Sequence, residues 1–280
     1  MSIYLNDVAV TTFSPLVKQA FQEKGFTLQN TVRVQRGNSK TFKFPKFGKS
    51  MAKQKAAQDM VVPSNVSMVD VELIVQPWYD AELSDIFGEA NVNFDAKREL
   101  AEVLAMSIGR RADQLILNAN INSGTTNVVA VGSTGFTYAK FQSMMKYFAK
   151  KSIKSSTTDI HVAINADAQD DILSDEKFLS RFYTDKRLFD NGSTLDGMNF
   201  GGVTWHVFGD MAEGGIPVSG SGVGSAFAWA KQAVGLGISL DFSTMIEYQQ
   251  LYLSSLVTVQ YQANAVAIDK EGIVKIDFLV

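Results

Sequence analysis

The 280-residue sequence predicts an α+β fold, and three observations carry that prediction. Between residues 95 and 118, Leu100, Ala101, Leu104, Ile108, Ala112, Leu115 and Ile116 hold a 3.6-residue apolar stripe, the mark of a long amphipathic helix. Residues 31–75 carry two strand-forming runs around a polar, lysine-rich middle. After residue 130, helices and strands alternate too irregularly for a barrel or a doubly wound sheet, and no repeat recurs.

In chain order, an extended arm leads to a short helix with Ser14 as cap, Pro15 at its first position and Gly25 as its stop. Strand formers then dominate from Thr31 to Phe47. Lys40, Lys43, Lys46 and Lys49 recur every third residue, out of step with a strand's two-residue period, so their charges must emerge on both faces. Such a ribbon is expected to project from the body rather than lie in a core. Its tip is placed at residues 48–65 and its return strand at 66–75. The stripe helix over 95–118 would be a structural spine. A helix over 137–151 turns Phe141, Met144, Met145 and Phe148 inward, and a strand at 159–165 leads to a helix beginning near Asp167. Strands are expected at 203–208, 226–229, 256–261 and 273–278, with a loop over 213–224.

Composition narrows the function classes. With 46% hydrophobic residues the chain can bury a sizeable core, and its length favours two subdomains. The absence of cysteine removes disulfides, thiolate metal sites and a cysteine nucleophile. No apolar run approaches the roughly 18 or more residues of a membrane helix, and Met1–Val10 lacks a signal-peptide pattern. Residues 33–58 hold eight bases and no acid, whereas residues 59–99 hold nine acids against Lys97 and Arg98. A basic run usually points to nucleic acid or anionic membrane. The adjacent acidic block, in a chain of net charge −3, points instead to copies that complement one another. The basic set is Arg36, Lys40, Lys43, Lys46, Lys49, Lys53 and Lys55, and the candidate counter-surface is Asp70, Glu72, Asp80, Glu82, Asp85 and Glu89.

Catalytic and ligand motifs are weak. His161 and His206 each stand alone in an apolar strand, without the paired nucleophile and orienting acid that a general base needs. A hydrolase using either one is the alternative from another class. Asn165, Asp167, Gln169, Asp171 and Glu176 match five positions of a calcium loop, but Asp170 stands where the sharp turn needs glycine. Residues 220–224 lack the third glycine of a dinucleotide fingerprint, since position 225 is Ser225, and no P-loop lysine follows. Phe42, Phe44 and Phe47 interleave with lysines as in single-strand binders, a reading opposed by the acidic block and a pI near 5.5. No cofactor and no metal is expected.

Several stretches, taken in order, resemble the major capsid proteins of tailed bacteriophages with the Hong Kong 97 fold. They are Gly37-Asn38-Ser39-Lys40 through Phe44-Pro45-Lys46-Phe47-Gly48, and Trp78-Tyr79-Asp80 through Asn93-Phe94-Asp95 into Ala105-Met106-Ser107-Ile108 and Arg111-Ala112-Asp113. Asp196-Gly197 through Gly201-Gly202-Val203, Ala226-Phe227-Ala228-Trp229-Ala230, and Ser255-Leu256-Val257 through Gly272-Ile273-Val274-Lys275-Ile276 complete the set. The resemblance implies an N-terminal arm and short helix (1–30) and an extended β-hairpin loop (31–75). It also implies a peripheral domain (76–130 plus 254–280) holding the spine helix, and an axial domain (131–253). It implies a non-enzymatic virion protein, assembled in the host cytoplasm from pentamers and hexamers into an icosahedral shell around double-stranded DNA. Partners would be other copies, a separate scaffolding protein, a portal, a decoration protein and non-specifically held DNA, with no membrane. A bacterial encapsulin shell is the alternative on the same fold. No lysine, asparagine and acid trio for covalent cross-linking is identifiable.

Overall fold

A computed structural model describes residues 24–86, 95–179 and 195–280. The expected helix starting at Ser14, apart from its stop at Gly25, lies outside these residues, as does Glu89. The first half contains strands β1 (Arg33–Arg36), β2 (Thr41–Phe47), β3 (Met68–Ile74) and β4 (Gln76–Asp85), helix α1 (Ala96–Ile121), β5 (Val128–Val129) and α2 (Tyr138–Lys150). The second contains β6 (Ile160–Asn165), α3 (Ala166–Ser174), α4 (Glu176–Leu179), β7 (Asn199–Phe200), β8 (Val203–Phe208) and β9 (Val223–Ala230). It ends with β10 (Val234–Gln249), β11 (Ser254–Ala267) and β12 (Ile273–Leu279).

Helix α1 realises the apolar stripe and runs three residues beyond Asn118. At about 1.5 Å per residue it is roughly 39 Å long. Asp95 caps it, its carboxylate accepting from the Arg98 amide at 3.2 Å, and so satisfies one of the donors a helix start leaves over. Its stripe (Leu104, Ile108, Ala112, Leu115 and Ile116) packs on Val257, Val259, Tyr261 and Ala263 of β11. Buried Asp113 ties the entering chain to the helix by accepting from Thr27 N at 3.0 Å, Thr27 Oγ1 at 2.9 Å and Leu28 N at 2.9 Å. Burial still raises its carboxyl above the ordinary range, against the pull of those bonds.

Two sheets organise the body. The four-stranded sheet has the order β1-β10-β11-β4 and lies against α1. The six-stranded sheet, β5-β12-β9-β6-β8-β7, is buried on both faces. One face meets the α1 core through Ala163, Phe227 and Trp229, and the other meets Phe141, Met144 and Phe148 of α2 through Val162, Trp205 and Ala228. Double burial explains why every residue of β6 is buried and why Val162, Ala163 and Ile164 are apolar in succession rather than alternating.

Strand pairing in both sheets crosses the expected domain boundaries. β10, expected within 131–253, pairs with β11 beside α1, while β12, expected within the peripheral unit, pairs with β9 and β5. The cut expected at 253/254 falls beside the turn joining β10 to β11. A continuous strand over 31–47 is also corrected. Residues 37–40 divide it, so β1 pairs parallel with β10 while β2 pairs antiparallel with β3.

The β2–β3 hairpin forms with Thr41 opposite Ile74 and Phe47 opposite Met68. Its base does not project freely. Phe42, Phe44, Leu73, Val75 and Ile268 form a buried cluster of their own. The rings fit because β10 presents glycines beneath them. A Cβ on Gly235 would stand 2.9 Å from the Phe44 ring, and one on Gly237 2.7 Å from the Phe42 ring.

Candidate functional site

The basic run divides into side chains that meet an acid of the same chain and side chains that do not. In β2, Lys43 lies directly opposite Glu72 and pairs with it at 2.9 Å, and the Glu72 carboxylate holds the Lys43 ammonium above its ordinary pKa. Lys46, on the other face of the ribbon, reaches Asp269 at 2.7 Å. Lys49 reaches Glu271 at 3.2 Å, and Lys151 reaches the other oxygen of the same carboxylate at 3.0 Å. Hydrogen bonds from Lys151 and Lys49 hold the Glu271 carboxyl below the usual range. Arg36 lies 3.5 Å from Asp241. Asp269 and Glu271 belong to the turn before β12, and the sequence reading did not connect them with the arm. Their two-residue spacing, matched to lysines three apart in a ribbon, was the available signal.

Beyond Phe47 the pattern changes. Residues 48–67 contain no strand or helix and are exposed throughout. Gly48 and Ser67 close the ribbon with a 2.7 Å backbone bond. Among the described residues, Lys40, Lys53 and Lys55 form no ion pair. Met51, Met60, Val61, Val62 and Val66 are exposed on the same segment.

The acidic set is not one surface. Asp70 and Glu72 lie on the hairpin itself, on the face opposite the buried phenylalanines. Asp80 and Glu82 lie on β4, across from Val259 and Val257, and Asp85 projects from its opposite face. β4 is an edge strand, paired only with β11 among the described residues.

The fold also joins the two histidines, which the sequence reading treated separately. Parallel strands β6 and β8 bring His161 Nδ1 to 3.3 Å from His206 Nε2. Among the described residues that is the only hydrogen bond to either ring, so no hydroxyl nucleophile or orienting acid engages them. Burial, reinforced by the second imidazole, pushes His161 down to about 4, and burial lowers His206 as well. Asn165 caps α3 by accepting from Ala168 N at 3.0 Å. The Asp171 and Asp175 carboxylates accept from Phe136 N at 2.6 Å and Tyr138 N at 3.0 Å. Two members of the calcium-loop template, Asn165 and Asp171, together with Asp175, are thus occupied in holding the α2–α3 region together.

Comparison with known proteins decides what this arrangement belongs to. The sequence profile of the phage capsid protein family matches residues 5–280. The chain belongs to the phage capsid protein family. Solved structures share its fold: the capsid of Helicobacter pylori bacteriophage KHP30 superposes with TM-score 0.72 at 11% identity over 100% of both chains. Mycobacterium phage Che8 gives 0.69 at 15% identity, with 97% of each chain covered. The virus-like particle from Pyrococcus furiosus gives 0.60 at 11% identity, covering 90% of this chain and 92% of that one. No curated protein sequence matches. As a major capsid protein of the Hong Kong 97 type, the molecule works by packing against copies of itself. Among the described residues, the exposed hairpin tip and the β4 edge are the candidate halves of an interface between copies.

Proposed function

We propose that this capsid protein forms rings of five and six that tile an icosahedral virion shell around double-stranded DNA. Assembly takes place in the host cytoplasm with a separate scaffolding protein and a portal, and a decoration protein binds the finished shell. DNA is held by non-specific contact, and the protein performs no catalysis. Closed symmetry lets many individually weak contacts act together. The observation that carries this reading is the hairpin whose base is locked into its own chain while its basic tip stands exposed. Within the basic set, Lys40, Lys53 and Lys55 are the side chains left for a neighbour, because Arg36, Lys43, Lys46 and Lys49 have acids at home. The encapsulin reading shares the fold and differs in contents: cargo protein rather than DNA. Negative-stain electron microscopy of the purified protein should show closed shells or rings, and nuclease-protected DNA in particles from cells would separate virion from protein compartment. A uniformly monomeric protein under all assembly conditions would sink the proposal.

A further inference from the structure

Two segments left without a strand partner among the described residues match each other in length, charge and period. The first is the outer edge of β4 from Trp78 to Leu83, which no described strand covers. An uncovered edge offers a row of backbone donors and acceptors to any extended segment. β4 carries Asp80, Glu82 and Asp85 and no base. The second is the start of the hairpin tip, where no backbone group from Lys49 to Lys55 hydrogen-bonds within the described residues. Residues 49–58 carry Lys49, Lys53 and Lys55 and no acid.

Strand side chains alternate between faces, so residues two apart share a face. Asp80 and Glu82 are two apart, and so are Lys53 and Lys55. Once residues 50–55 lie extended beside β4, both lysines can face both acids in one register, and a shift of one residue turns them to the opposite face. A second β4 is a poor occupant, because it would set acids against acids. Resting on the capsid reading above, we infer that residues 50–55 of one copy add as a fifth strand to the outer edge of β4 in a neighbouring copy. The chain's own hairpin base, fixed by Phe42 and Phe44, aims the tip outward for that pairing. The backbone supplies the bonds and the Lys53/Lys55 to Asp80/Glu82 match sets the register.

The test uses full-length protein, circular dichroism for fold and sedimentation for shells. Lys53→Glu/Lys55→Glu and Asp80→Lys/Glu82→Lys should each lose shells at least tenfold while staying folded, and their quadruple combination should regain them. Met51→Pro and Gln54→Pro leave charge unchanged and delete N–H groups on opposite sides of the segment, so one of them should block assembly. If the wild type forms no closed particle, the capsid-shell reading itself fails. If the wild type assembles and the quadruple variant stays folded without recovering, this inference alone fails. It also fails if both proline variants assemble normally, or if Lys53→Glu/Lys55→Glu forms normal shells that only lose their DNA.

Discussion

The base and the tip of the hairpin come from one ribbon, yet different forces hold them. At the base, Phe44 is 0% exposed, Arg33 stacks 5.7 Å over its ring, and Gly235 and Gly237 clear the space beneath. Along the tip, Met51 is 85% exposed and Met60 84%. The base is specified by apolar burial inside one chain. The tip leaves apolar side chains, unpaired backbone and two uncommitted lysines in water, a combination that a monomer gains nothing by keeping. In the assembly proposed above, the base fixes the direction of the arm and the tip offers a surface to another copy.

The largest effect should come from breaking the base. Phe44→Asp removes a fully buried ring and strands a carboxylate, which costs at least about 4 kcal/mol and should release the hairpin or unfold the chain. Met60→Asp, made in the tip, should change stability by less than about 0.5 kcal/mol. Thermal melts of the two variants decide the matter, and equal losses would mean that base and tip are not distinct.

Acid should distinguish body from tip. His161 is held near 4 in the folded state against 6.5 in model peptides, so the unfolded chain binds a proton first. Stability is therefore fully present above about pH 6.5 and falls as pH drops towards 4. For His161 the loss should be about 2–3 kcal/mol after discounting its remaining solvent contact. His161→Gln should flatten that part of the stability-versus-pH curve; an unchanged slope would show that the pair does not couple to folding. Salt, by contrast, should act on the tip, since contacts between exposed charges fade once the Debye length falls to a few Å.

A smaller effect is expected from tightening the floor under the base. Gly237→Ala pushes a methyl against Phe42 and Leu73 and should cost about 1–2 kcal/mol, whereas Gly220→Ala, with open space around it, should be silent. Those floor glycines also show what the sequence hid. β10 is a 16-residue strand that the sequence reading did not assign, although Val234, Leu236, Ile238 and Leu240 alternate strictly. Gly235 and Gly237 between them interrupt the strand-forming pattern, and their purpose is a long-range contact with Phe44 and Phe42. β4 was missed because an edge strand exposes polar residues on both faces. By contrast α1, α2, β6, β8 and β12 were legible, since each carries its pattern within its own residues. The hairpin was legible too, but the burial of its base was not: Ile268, Asp269 and Glu271 lie more than 190 residues further along the chain. The histidine pair was hidden for the same reason, being made by the parallel register of β6 on β8.

The smallest effects belong to the ion pairs, where base and tip should part most clearly. Lys46–Asp269 is partly exposed on both sides, so a double-mutant cycle with alanine should return about 0.2–1 kcal/mol. Charge reversal is more telling than deletion. Lys46→Glu/Lys49→Glu sets new carboxylates against Asp269 and Glu271 of the same chain, so it should loosen the base in the isolated subunit, and hydrogen exchange in β2 and β3 should rise. Lys53→Glu/Lys55→Glu faces no acid at home and should leave that exchange unchanged. Faster exchange in both variants would mean that the tip lysines also hold the hairpin, while no change in either would mean that apolar burial alone fixes it. In the expected outcome the seven basic residues, which read in sequence as one uniform block, separate into those with an acid at home and those without. Arg36, Lys43, Lys46 and Lys49 aim the arm through acids of their own chain, and Lys40, Lys53 and Lys55 are left for a neighbour.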